Sequence, residues 1–102
     1  ILIDPKKVEL NHYEGLPHLL TPVVTNMKDA AAVLSNVVRE MESRYELMGM
    51  ARARNLRDWN AHRAAAGERP MPTILVVIDE LADLMMVSPA EVEDAIIRLA
   101  QK

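Results

Sequence analysis

Two neighbouring carboxylates, Asp79 and Glu80, follow directly on the apolar, β-branched run Thr73-Ile74-Leu75-Val76-Val77-Ile78. Side by side at the end of such a run, they are costly unless a cation or a reaction uses them. One can hold a divalent metal and the other can take a proton from water. A second group with chemical potential, Asp4-Pro5-Lys6, follows Ile1-Leu2-Ile3 near the start of the chain. His12, His18 and His62 have no metal-ligand spacing, and His18, inside Leu16-Pro17-His18-Leu19-Leu20, reads as a hydrogen-bonded packing residue. The chain has no Cys, so a disulfide framework, a thiolate metal site and a Cys nucleophile are all excluded, and no Ser-His-Asp set can be assembled.

The elements that would position these groups can be read from the hydrophobic pattern. The run over 73–79 lacks polar alternation, which predicts a strand buried on both faces, as in a parallel sheet covered by helices. The C-terminal end of such a strand is where α/β folds place ligands. In nucleoside triphosphatases the same pattern is the Walker B element, its Asp associated with Mg²⁺ through water and its Glu activating the attacking water. Alone the pattern is weak, because acids that merely begin the next helix produce it too.

A first strand over 1–4 is stopped by Pro5, which has no N–H for a ladder. A loop over 5–25 follows, containing Gly15, Pro17 and Pro22, with its apolar residues packing across a sheet edge. Helices are expected over 26–66. Thr25 or Asn26 caps the first, and Ala30, Leu34, Val37, Val38, Met41, Tyr45 and Met48 give it an apolar stripe. The pattern weakens near Gly49, and Asn55 can cap a second helix that runs to Ala66 and is closed by Gly67. Helices over 81–102 follow the second strand: a short turn after Glu80, then one opened by the capping box Ser88-Pro89-Ala90-Glu91, with Val92, Ala95, Ile96, Leu99 and Ala100 on its buried face. Strand, helical crossover and parallel strand make a βαβ unit. It would bring Asp4 and Asp79 to one edge of the sheet, although Asp4 before Pro5 is equally an ordinary turn residue.

Composition sets the outer limits. With 102 residues, half of them apolar, the chain fits one domain at most. No apolar run approaches the about 20 residues of a membrane span, and this stretch reads as soluble. The net charge of −3 is not that of a nucleic-acid-binding domain, but six arginines between Arg44 and Arg69 face only Glu46, Asp58 and Glu68. That segment either faces phosphate or forms the solvated faces of two helices. The ends look cut: two buried parallel strands cannot make an independent sheet, so the chain is expected to be an internal piece of a larger domain.

Several blocks together carry a more specific resemblance: Ile3-Asp4-Pro5-Lys6, Val8-Glu9-Leu10-Asn11, Tyr13-Glu14-Gly15-Leu16-Pro17-His18-Leu19-Leu20, Glu40-Met41-Glu42-Ser43-Arg44-Tyr45, and Val76-Val77-Ile78-Asp79-Glu80-Leu81-Ala82-Asp83-Leu84-Met85-Met86. With Arg54-Asn55-Leu56, Trp59-Asn60 and the stretch from Val92 to Lys102, they resemble the motor domain of FtsK/SpoIIIE-type DNA translocases over nearly the whole chain. The resemblance implies part of a RecA-like P-loop ATPase core. It also implies ATP and Mg²⁺ as cofactors and a homo-oligomeric ring, usually a hexamer, around double-stranded DNA at a division or sporulation septum. The longer protein would be membrane-anchored, with this part on the cytoplasmic side. Carried over by residue, Asp79 is the Mg²⁺-associated acid and Glu80 the catalytic base, while Asp4 and Lys6 lie near the nucleotide site without a settled role. Asp83 fits the pattern too, in a capping or interface role.

The chain contains no G-x-x-x-x-G-K-[ST] loop, so the P-loop and its strand are missing and the chain alone is expected to be inactive. Two other functions fit less of the sequence: a related conjugation or secretion pump ATPase, and a catalytically inert helical assembly module.

Overall fold

A computed structural model of the chain describes residues 1–101. Its order is β1 (Leu2–Ile3), α1 (Met27–Met50), α2 (Leu56–Ala65), β2 (Val77–Ile78), α3 (Leu81–Val87) and α4 (Pro89–Gln101), with a single 3₁₀ turn at Asn11–Tyr13 between β1 and α1. Lys102, expected within the last helix, lies outside the described residues. No helix among those residues is long and apolar enough to cross a membrane. The chain forms two compact units: Ile1–Val38 together with the stretch from Ile74 onward, and Arg39–Thr73.

The first unit is built on a parallel ladder. β1 pairs with β2 in the register Leu2↔Val77 and Ile3↔Ile78, and the amides of Val77 and Asp79 donate to the carbonyls of Ile1 and Ile3 at 2.9 Å each. On its other side, Ile3 forms a parallel bridge to Val24, where the Asp4 amide donates to the Val24 carbonyl at 2.8 Å and the Val24 amide to the Leu2 carbonyl at 2.9 Å. β1 is therefore the middle of three parallel backbone segments. The loop expected over 5–25 thus ends in a ladder residue rather than lying across an edge.

Both regular strands are shorter than the 1–4 and 73–79 spans read from the pattern, and the second is not buried on both faces. Leu75 is 75% exposed, and Val77 and Ile78 are only half-buried. A strand is covered on both faces only when helices lie against both, and a run of β-branched residues cannot supply those helices itself.

The core of this unit joins Ile3 and Val24 to Ala30, Ala31, Leu34 and Val38 of α1, Leu84 of α3, and Val92 and Ala95 of α4. Positions 30, 34 and 38 recur every fourth residue and so share one face of α1. Asn26, the second of the two cap candidates, holds the helix start: its Oδ1 accepts from the Lys28 amide at 2.8 Å. α4 buries Val92 and Ala95, with Ile96 and Leu99 half-buried, whereas Ala100 is exposed, one position beyond the packed face.

The second unit contains the later part of α1, then α2 and the segment leading to Thr73. α1 ends with the Ala53 amide bonded to the Met48 carbonyl at 2.8 Å and the Arg52 amide to the Gly49 carbonyl, with Arg52 at φ 56°. α2 ends the same way: the Glu68 amide bonds the Arg63 carbonyl at 2.8 Å, the Gly67 amide bonds the Ala64 carbonyl, and Gly67 sits at φ 74°. Both are Schellman closures, which need a left-handed residue just past the helix. Gly67 takes that conformation without steric cost; Arg52 does not. At the start of α2, Asn55 Oδ1 accepts from the Asp58 amide at 2.8 Å, and Asp58 Oδ2 accepts in turn from the Arg54 amide at 3.2 Å. Asn60 then clasps the returning chain, with Oδ1 accepting from the Met71 amide at 2.7 Å and Nδ2 donating to the Met71 carbonyl at 3.0 Å.

Candidate functional site

The parallel register decides what meets at the C-terminal edge of the ladder. Because Ile3 is level with Ile78, the residues that follow, Asp4 and Asp79, leave the sheet together, and the Asp79 amide is still bonded to the Ile3 carbonyl. An open depression of about 520 Å³ lies at this edge, lined by Lys6, Val8, Glu9, Ile78, Asp79, Glu80 and Leu81. Asp79 is half-buried and Glu80 exposed. Glu80 connects β2 to α3 at φ 150°, ψ 91°, a backbone region that non-glycine residues rarely enter and that costs about 1–3 kcal/mol. Such strain persists only where the surroundings over-determine it, here the β2 ladder on one side and the packed helix α3 on the other.

Asp4 does not line the depression. It is fully buried, and its carboxylate is consumed by its own loop. Oδ1 accepts from the Lys7 amide, and Oδ2 from the Glu9 and Leu10 amides, all at 3.0 Å. The Leu10 N–H foremost, joined by those of its neighbours in the loop, holds its carboxyl below the usual carboxylate range, against the opposing push of burial. Of the two roles open to Asp4, the structure thus supports the turn residue. Its work is to fold residues 5–10 over the sheet edge, with Lys7 turned to φ 63° and the Asn11 side-chain amide closing on the Lys7 carbonyl. A second carboxylate finishes the excursion: Glu14 accepts from the Val23 amide at 3.1 Å and steers the chain back to Val24.

Lys6, carried on that loop, does reach the depression. Its Nζ stands 3.8 Å from Oδ2 of Asp83 in the first turn of α3. That Asp83 oxygen is buried and has no hydrogen-bond partner. Asp83 therefore faces a cation rather than capping its helix, a partnership the sequence did not reveal because the two lie 77 positions apart.

Among the described residues no group of three or more His, Cys, Asp or Glu side chains could hold a metal by itself. The donors at the edge are oxygen donors from Asp79 and Glu80, hard ligands too few for a protein cage. They suit Mg²⁺, which keeps water and takes one or two carboxylates alongside substrate phosphates. His12, His18 and His62 are all exposed and take no part.

In the second unit, two of the six arginines are committed within the fold. Arg44 pairs with Glu40 at 2.9 Å and donates to the Pro72 carbonyl at 2.7 Å. Arg63 lies over the Trp59 ring, pairs with Glu68 at 3.1 Å and bonds the Arg69 carbonyl. Arg52, Arg54, Arg57 and Arg69 are exposed.

The acid pair and the open depression lie at the C-terminal edge of a parallel ladder, the edge where α/β folds bind ligands. The FtsK/SpoIIIE family model matches residues 1–102, and the chain belongs to that family. It is 60% identical to the DNA translocase FtsK of Lactiplantibacillus plantarum, 52% identical to that of Bacillus cereus and 51% identical to that of Mycobacterium tuberculosis. These alignments cover 99%, 99% and 100% of this chain but only 14% of each relative, so the chain spans a small part of the length of the proteins it matches.

Proposed function

We propose that this chain is the Walker B segment of an ATP-driven double-stranded DNA translocase with a RecA-like core. In this reading it acts within a longer, membrane-anchored protein on the cytoplasmic face, as one subunit of a ring, a hexamer by family resemblance, that moves chromosomal DNA at a septum. The observation that carries it is the shared depression of Lys6, Asp79 and Glu80 at the C-terminal edge of a parallel ladder. Bound Mg²⁺ would neutralise phosphate charge there. Asp79, fixed by its amide to the β1 ladder, would hold the ion through water. Glu80, exposed in the depression, accepts the proton of the attacking water. The cradle for the phosphates is a P-loop contributed by another part of the longer chain, since no such motif lies within these 102 residues.

The test is Glu80→Gln in the full-length translocase. DNA-stimulated ATP hydrolysis should fall by about 10²- to 10⁴-fold with ATP binding retained; hydrolysis at the parental rate would refute the assignment. The 102-residue chain alone should show neither tight ATP binding by calorimetry nor turnover.

A further inference from the structure

Among the described residues, Lys6 is the only cation lining the depression; the ionisable groups beside it there are the acids Glu9, Asp79 and Glu80, and Asp83 faces it from α3. Its ammonium is not consumed. At 3.8 Å from Asp83 Oδ2 it is beyond hydrogen-bonding distance, and its side chain is 61% exposed against 26% for Asp83. The loop that carries it, in contrast, is firmly fixed, because the buried Asp4 carboxylate binds the amides on the C-terminal side of Lys6. A fixed backbone, a largely exposed ammonium and a buried carboxylate oxygen that faces it without a hydrogen bond describe a cation held ready for a second anion.

We propose that Lys6 is a phosphate-binding residue that contacts the terminal phosphoryl group of the bound nucleotide, and that Asp83 holds its ammonium at the depression until the nucleotide arrives. The proposal rests on the nucleotide reading of this depression and deepens it. Three acids lining one depression repel a polyphosphate, and a compact ammonium with three donors offsets that repulsion. Lys6 shares the depression with Glu80, and the group that must lie beside a hydrolytic base is the phosphoryl that leaves. The contact therefore forms with ATP and is lost with ADP.

The experiment uses the full-length translocase carrying Glu80→Gln, so that ATP is not consumed, and measures the affinity of fluorescent ATP and ADP analogues with and without Lys6→Ala. A parallel Lys6→Met variant keeps the aliphatic stem. Both should weaken ATP about tenfold while changing ADP less than about twofold, the effect of removing one charge-assisted contact. Asp83→Asn, which releases the ammonium, should leave ATP affinity at least as tight as before. Equal weakening of ATP and ADP, or no change in either, would overturn the role of Lys6. Weaker ATP binding in Asp83→Asn would overturn that of Asp83. If Glu80→Gln alone still hydrolyses ATP, the failure belongs to the nucleotide reading of the site and not to Lys6.

Discussion

Asp4 and Glu80 show how similar carboxylates, each at the end of a strand, come to different work. Asp4 turns inward, where three amide donors meet it, and it behaves as a structural anion. Glu80 stays exposed on a strained backbone, and in the proposed function its oxygens take the proton of the attacking water. The difference predicts distinct phenotypes. In Asp4→Asn, one of the two accepting atoms becomes an NH₂ facing N–H groups, and a loop that depends on both collapses. Its thermal midpoint should fall by roughly 5 °C or more. The pH dependence follows from the depressed carboxyl of Asp4. Its contribution to stability is fully present above the unfolded value of about 4 and is lost as the pH falls through the lower folded value. Acid unfolding followed by circular dichroism should therefore show a loss below about pH 4 in the parent that is smaller in Asp4→Asn. Identical acid limbs would show that the Asp4 anion does not stabilise the fold.

At the scale of elements, the helix ends were the most legible features and also the place of one surprise. Asn26, Asn55 and Gly67 are residues whose local chemistry specifies a cap, and each is found making one. The sequence located the end of α1 only as a weakening near Gly49, because the closing residue is Arg52, a type with no turn signal. Arg52→Gly should stabilise the second unit by about 1 kcal/mol, the cost of holding a side chain in the left-handed region. Chemical denaturation would measure it, and a destabilised Arg52→Gly would mean that the exposed guanidinium has a stabilising partner. The extent of the strands is not legible locally, for the opposite reason. A run such as 73–79 announces its apolar content, but how many of its residues pair depends on which segments lie alongside.

For the whole molecule, the described sheet leaves an edge. β2 pairs with β1 and with no other strand among the described residues, and Leu75, just before it, is 75% exposed. An open parallel edge flanked by an exposed Leu invites association with another chain. The isolated 102-residue chain should self-associate at micromolar concentration, and Leu75→Lys should shift it toward monomer in sedimentation velocity. A monomeric parent chain would show that this edge is closed by its own residues.

The sequence by itself determined the chemistry available: an acid pair after an apolar run, a second acid and a lysine after another, helices marked by their caps, and no phosphate cradle. These are properties of residue type and near spacing, which local physics translates directly. Only the tertiary structure decided which groups act together. The register of β1 on β2 set Asp4 level with Asp79, the folding of residues 5–10 around Asp4 turned that carboxylate inward and brought Lys6 to the depression, and the start of α3 put Asp83 opposite it. Pairing between groups 75 or more residues apart is fixed by ladder register and packing, neither of which is written in any local stretch of the chain.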